Sequence, residues 1–268
     1  MSDDNLNPTR AITAELLAAA RDSEDLKKAG KTVGKSLATI ATTIDNALLP
    51  LAAVNFGIQA AKEYFSNKFQ KEFEEKVSDI PPDQIVDPKP SVAGPALQGL
   101  SFSLDEPALK EMYLNLLKTS VDGRTTGDAH PAFVEIIKQL TGDEVYYLNL
   151  VLPIEGSAPL ARLKYTMQTG GFIIVERHMV GLWDTRNNSI VYVEELSAMF
   201  DNWIRLGLLN IDYGRRKNGD GYYDFVMQSP RYAELLAQAS AEKTLEFDRG
   251  IYEATDMGRK FARVVGIT

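Results

Sequence analysis

SDIPPDQIVDPKPSVAGPALQG, Ser78 to Gly99, divides this chain of 268 residues into two kinds of sequence. Pro81, Pro82, Pro88, Pro90 and Pro95 each fix φ, remove an amide donor and push the preceding residue toward extended backbone. The stretch therefore reads as an extended connector, and a long helix through it is not expected. Residues 1–80, before it, carry helical spacing. The residues after it carry helix-capping signals first and strand signals later. The expected fold is mainly α with a C-terminal α+β part. Its parts are an N-terminal helical region (1–80), a Pro-rich connector (81–102), a helical hairpin or bundle (103–158) joined by some of the N-terminal helices, and a winged-helix-like domain (159–268).

Upstream of the connector, Ile40, Ile44, Leu48 and Leu51 step by three or four, and Ile58, Phe65, Phe69, Phe73 and Val77 continue the helical steps. This is an amphipathic stripe. Between Lys35 and Lys62 the only charged residue is Asp45, over a length sufficient to cross a bilayer. The content is weak for that purpose, being rich in Ala and Thr and interrupted by Asn46, Pro50, Asn55 and Gln59. A central Asp costs roughly 2.5–3.5 kcal/mol on insertion scales. Packed helices are the favoured reading. The competing one is a switch segment (Ile40, Ile44, Asp45, Leu48, Leu51, Ile58), sheltered at rest and inserting into membrane after activation. Further upstream, AGKTVGKS (Ala29–Ser36) fits a loose phosphate-loop pattern ending in Lys35 and Ser36. A working loop needs a buried strand before it. Here ITAELLAAARDSEDLKKA precedes it, helix-forming and highly charged. The pattern is taken as a break between helices, and no nucleotide site is assigned.

Downstream, SLDE at Ser103–Glu106 has the form of a capping box ahead of LKEMYLNLLKTS, and TGDE at Thr141–Glu144 has the form of a second. His130, before Pro131, falls in a turn closing a helical hairpin, where capping is the expected role. From Leu160 the pattern changes. ARLKYTM, FIIVERHMV and SIVYV are rich in β-branched and aromatic residues, with a turn at Asn187-Asn188. VEELSAMFDNWIRLGLL predicts a helix on Leu196, Met199, Phe200 and Trp203, stopped at Gly207. NIDYGRRKNGDGYYDFVMQ predicts a hairpin around Asn218–Gly221. A helix near Tyr232–Ala239, a strand at IYEA and a last helix capped by Thr255 complete the chain.

The order from the Ile80-Pro81-Pro82 connector onward resembles the abortive-infection alpha proteins of bacteria. The resemblance rests on Glu111, Tyr113, Leu116 and Leu117 in EMYLNLL, on His130-Pro131-x-Phe133, and on Gln139-Leu140-Thr141-x-x-Glu144. It covers residues 45–150 well, and the tail more loosely through WIRLGLL and the Thr255–Gly258 turn. These motifs are structural, so the resemblance implies a role in phage defence and transfers no active site.

A formal charge of −8 argues against a general nucleic-acid binder, which needs a basic face. Arg215, Arg216 and Lys217 form a local basic cluster suited to phosphate or protein contact. The helix before it carries Glu194, Glu195 and Asp201, which favours protein contact or self-association over a DNA groove. A winged-helix DNA-binding regulator is the alternative function. With no cysteine, disulfides, thiol catalysis and zinc–thiolate sites are excluded, which fits a reducing cytoplasm. The polar start MSDDNLNPTR shows no secretion signal. Only His130 and His178 are present, in different segments, and no hydrolase, metalloprotease or dinucleotide motif is found. No catalytic residue, metal or cofactor is nominated. The expected protein is a cytoplasmic, non-catalytic effector or sensor of abortive infection that works through protein contacts or membrane perturbation, membrane association on activation being the minority reading.

Overall fold

The computed structural model of the chain describes residues 58–184 and 189–267. These fall into two compact units, one of residues 58–147 with 262–267, the other of residues 148–261. The phosphate-loop pattern at Lys35 and Ser36, the positions Ile40 to Leu51 and the Asn187-Asn188 turn lie outside the described residues.

The first unit is helical. Helices α1 (Ile58–Asn67) and α2 (Phe69–Val77) carry the aromatic end of the stripe. Phe65, Phe69 and Phe73 are buried, with successive ring centroids 5.2 and 5.5 Å apart. The residues after α2 run extended through a 3-10 turn at Pro82–Gln84, and the Val86 amide bonds the Val121 carbonyl at 2.8 Å. The extended reading ends there. Residues Pro90–Phe102 form helix α3, with Pro95 in its interior. Pro90 stands in the first turn, where no amide donor is needed. An interior proline costs about 3 kcal/mol in an exposed helix. Here Val92, Ala93, Ala96, Leu97 and Leu100 are all essentially fully buried, and that burial offsets the loss.

Helix α4 (Pro107–Val121) buries Leu109, Met112, Tyr113, Leu116 and Leu117. Gly99 of α3 lies against Tyr113, and a Cβ there would overlap its ring and hydroxyl. Helix α5 spans Pro131–Ile137 and α6 spans Gly142–Val151.

The two capping boxes come out differently. The Glu144 carboxylate accepts the Thr141 amide at 2.8 Å and Thr141 Oγ1 accepts the Glu144 amide at 3.2 Å, as expected. Ser103 does not cap α4. Pro107 takes the first helical position, which leaves Glu106 as the flanking residue, while Ser103 ends α3 and donates to the Gly99 carbonyl. The Glu106 carboxylate instead accepts the Gly142 amide at 2.9 Å, at the start of α6.

The second unit is α+β. Its antiparallel sheet has the order β2 (Phe172–Met179), β1 (Ser157–Met167), β6 (Lys243–Ala254), β5 (Leu209–Asp212). β1 and β6 pair along the whole of β1, from Ser157 opposite Glu253 to Met167 opposite Lys243. The alternation of buried residues along β1 slips at Leu160–Ala161, both buried, next to register shifts in its pairing with β2. A separate two-stranded ribbon joins β3 (Leu182–Asp184) to β4 (Ser189–Val191). Helix α7 (Leu196–Arg205) buries Leu196, Phe200 and Trp203 and ends at Gly207, whose φ of 73° serves as the stop that its sequence predicts. Short helices α8 (Asp224–Gln228) and α9 (Pro230–Ala237) follow, and α10 (Asp256–Val265) closes the chain.

The expected hairpin around Asn218–Gly221 does not form. β5 pairs with β6, Leu209 opposite Ala254, and residues 213–223 make a loop into α8. Tyr223 explains this. Its buried hydroxyl donates to the Gly250 carbonyl at 2.9 Å and accepts the Lys217 amide at 2.9 Å, holding the loop folded back on β6. The Thr255–Gly258 turn has an equally local cause. Thr255 Oγ1 accepts the Gly258 amide at 2.8 Å, capping α10, and donates to the Gly207 carbonyl. Gly258 lies so close to the Leu208 carbonyl that a side chain there would overlap it.

These contacts give paired expectations for denaturant unfolding. Thr141→Ala is expected to lose about 1 kcal/mol through its cap. Gly258→Ala is expected to lose about 1–3 kcal/mol by forcing the turn off the Leu208 carbonyl.

Candidate functional site

The second unit carries an open apolar groove of about 500 Å³. Ala158 of β1 and Tyr252 of β6, opposite each other in register, contribute to its lining. The β3–β4 ribbon supplies Trp183 and Ile190, another directly opposed pair. Leu150 and Ile154, from the end of α6 and the segment after it, line it further, and Phe225 of α8 completes it. Gly181 lets the ribbon turn tightly past Phe225, whose ring a Cβ would meet at 3.0 Å. Trp183 is 50 % exposed, Leu150 49 % and Ile154 37 %. Large apolar side chains gathered in one exposed concavity are the usual mark of an interaction surface, whereas scattered ones are not. Asp224 is the one charged residue of the lining.

Behind the ribbon, polar side chains lock the elements that carry it. The Glu176 carboxylate, on β2, accepts from Tyr192 Oη at 3.0 Å, Ser197 Oγ at 3.0 Å and Arg231 Nε at 3.1 Å. One nearly buried carboxylate thus ties β2 to the residue after β4, to α7 and to α9. A charge held by three donors satisfies the cost of its own burial.

His178, at the end of β2, is the most unusual residue here. It is buried and has a φ of 52°, the left-handed region that non-glycine residues seldom adopt. Its Nε2 lies 3.0 Å from Asp201 Oδ1 and its Nδ1 lies 3.2 Å from Tyr213 Oη, while its own amide donates to that same hydroxyl at 3.3 Å. The ring stacks near Phe200 and Tyr213. Burial, outweighing the attraction of Asp201, pushes the imidazole pKa below 6.5. The neutral ring with its proton on Nε2 satisfies all three bonds. Both nitrogens are engaged by protein, as in a structural joint.

The other sequence candidates stand apart. Arg215 pairs with Glu253 at 3.3 Å, and Arg216 is exposed. Lys217 is engaged through its backbone by Tyr223. His130 flanks α5, its Nδ1 accepting the Ala132 amide at 3.1 Å, with Pro131 in the first turn. Of the proposed switch segment only Ile58 falls within the described residues, at the start of α1. Among the described residues no helix is long and apolar enough to cross a membrane, and no group of three or more His, Asp or Glu could hold a metal ion. Sequence reading missed the groove and the Glu176 hub. Trp183, an aromatic beside a polar turn, was the one local signal.

Because a depressed histidine pKa favours the neutral form in the folded state, the His178 contribution is present above pH 6.5. It is lost as pH falls through the lower folded value. His178→Asn tolerates the left-handed backbone without titrating, so its melting temperature should fall less than wild type between pH 7 and pH 5. Equal slopes in thermal melts would remove His178 as the source.

No curated protein and no solved structure matches the chain. The model of one family, described as abortive infection alpha, matches residues 61–265, which run from α1 to the last residue of α10. With most of its length inside that match, the chain belongs to the abortive infection alpha family.

Proposed function

We propose that the protein serves abortive-infection defence against phage as a non-catalytic effector or sensor, working through protein contacts made by the groove of its second unit. The family assignment supports the defence role. The observation that carries the mode of action is the concentration of exposed Trp183, Leu150 and Ile154 around one cleft. Leaving them in water forgoes about 25 cal/mol for each Å² that a partner would cover. The ribbon bearing Trp183 sits on a hydrogen-bonded frame at Glu176, so a partner would meet a preformed surface.

The rival is a DNA-binding regulator of winged-helix type, using the loop with Arg215, Arg216 and Lys217. The exposure of Arg216 favours it. The pairing of Arg215 with Glu253 and the net charge of −8 weigh on the other side.

Trp183→Asp places a charge in the groove and gives up the buried half of the indole, so stability should fall by about 1–3 kcal/mol. Phage restriction by cells carrying this variant is expected to be lost while the protein stays folded at the growth temperature, with a cooperative melt shifted down by a few degrees. Full restriction by Trp183→Asp, with loss in a triple Ala variant of Arg215, Arg216 and Lys217, would favour the DNA reading instead.

A further inference from the structure

The sheet of the second unit ends on one side at β2, whose outer edge is only partly covered. Toward its end the Arg177 carbonyl accepts from Ser197 Oγ of α7, and Glu176 is held by its three donors. Residues 172–175 lack such cover among the described residues, and none of them lines the groove. The turn before them fixes which backbone groups face out. The Met167 amide bonds the Gly171 carbonyl and the Gly170 amide bonds the Met167 carbonyl, each at 3.0 Å. With Tyr165 opposite Ile173 in register, antiparallel alternation points the Ile173 amide and carbonyl inward to β1. Those of Phe172 and Ile174 point outward, and among the described residues nothing bonds them. The side chains do not guard the edge either. Phe172 is 55 % exposed and Ile173 57 %. TGGFIIV, residues 169–175, has neither a proline nor a charge, the usual devices that keep an edge strand from pairing. Lys164, whose ammonium lies 5.2 Å from the Phe172 ring, is itself paired with Asp248 at 2.6 Å.

We propose that this edge pairs with the same edge of a second copy of the chain, antiparallel about a two-fold axis at Ile173, joining the two sheets into one. In that register Phe172 of each copy stands opposite Ile174 of the other. Every outward amide then meets an outward carbonyl, and no polar group of the edge is left over. The side chains match as well. Phe172 covers Ile174 of the second copy on one face, and the two Ile173 side chains meet on the other. Charge permits the approach, since the paired stretch is neutral although the chain carries −8. Glu176 comes opposite the Gly170-Gly171 turn of the second copy, so no like charges are set face to face. An unrelated strand would have to reproduce both the backbone phase and these apolar pairs, which the same strand supplies by symmetry. So short an edge buries less than the roughly 1,200 Å² of a standard interface, and the dimer is a weak one, with a Kd of about 10–100 μM.

The chain has no cysteine, so one placed on the axis reports the pairing. Ile173→Cys sets two thiols at a non-hydrogen-bonded pair, with Cα atoms about 4.5 Å apart and within disulfide reach. Arg177→Cys, exposed on the same strand, sets them about 26 Å apart. At about 50 μM under mild oxidation, Ile173→Cys is expected to give a covalent dimer and Arg177→Cys a monomer. In sedimentation velocity, wild type should move from monomer mass toward twice that mass as its concentration rises through the same range. Ile173→Lys should weaken the dimer at least about tenfold by setting two cations on the axis. An equal mixture of Ile173→Lys and Ile173→Glu should recover it, which a folding defect could not do. Wild type monomeric at about 200 μM, no covalent dimer from Ile173→Cys, or equal cross-linking of Arg177→Cys would each overturn the assignment. So would a Lys–Glu mixture no more dimeric than its components.

Discussion

The long antiparallel ladder between β1 and β6 is the constraint on which the second unit rests. It pairs strands some eighty residues apart in sequence along the full length of β1. Because side chains alternate faces, a slip of one residue would turn every inward position outward. The observed register sets Ala158 beside Tyr252 in the lining of the groove. It also sets Arg162 beside Asp248, which Lys164 joins from two residues along at 2.6 Å. The slip in alternation at Leu160–Ala161 is absorbed on the β2 side of the strand, so the β6 side keeps its pairing unbroken.

Local chemistry was legible where one residue type decides the outcome. Gly207 ends α7 with a positive φ, and the pair Thr141 and Glu144 bond each other's amides. Thr255 caps the last helix through Gly258. The same rules misled where a neighbour outranked them. Ser103 and Glu106 have the spacing of a capping box, but Pro107 claims the first helical position and moves the boundary. Pro95 reads as a helix breaker, and it sits inside α3 because the apolar residues on either side are completely buried. Asn218–Gly221 has the composition of a hairpin turn, yet Tyr223 finds the Gly250 carbonyl and closes a loop instead.

The candidate sites were largely hidden for a different reason. The groove is assembled from residues between Leu150 and Tyr252, and no short window holds more than a fragment of it. The close approach of α3 to α4 depends on a glycine of one helix facing a tyrosine of the next. Tyr113 belongs to EMYLNLL, and His130 and Thr141–Glu144 belong to the other two motifs that carry the family resemblance. Each has a structural explanation in the folded unit, as a buried ring, a helix flank and a capping box. The motifs therefore describe how the helical unit is built. Exposed Trp183, Leu150 and Ile154 around the groove of the second unit have no such structural explanation.

Challenge of bacteria carrying the gene at low and high phage-to-cell ratios tests the defence claim most directly. Cultures that survive a low ratio and collapse at a high one, with few progeny released from infected cells, are the predicted result, because infected cells are sacrificed. Survival of infected cells at both ratios, or productive infection at both, would contradict it.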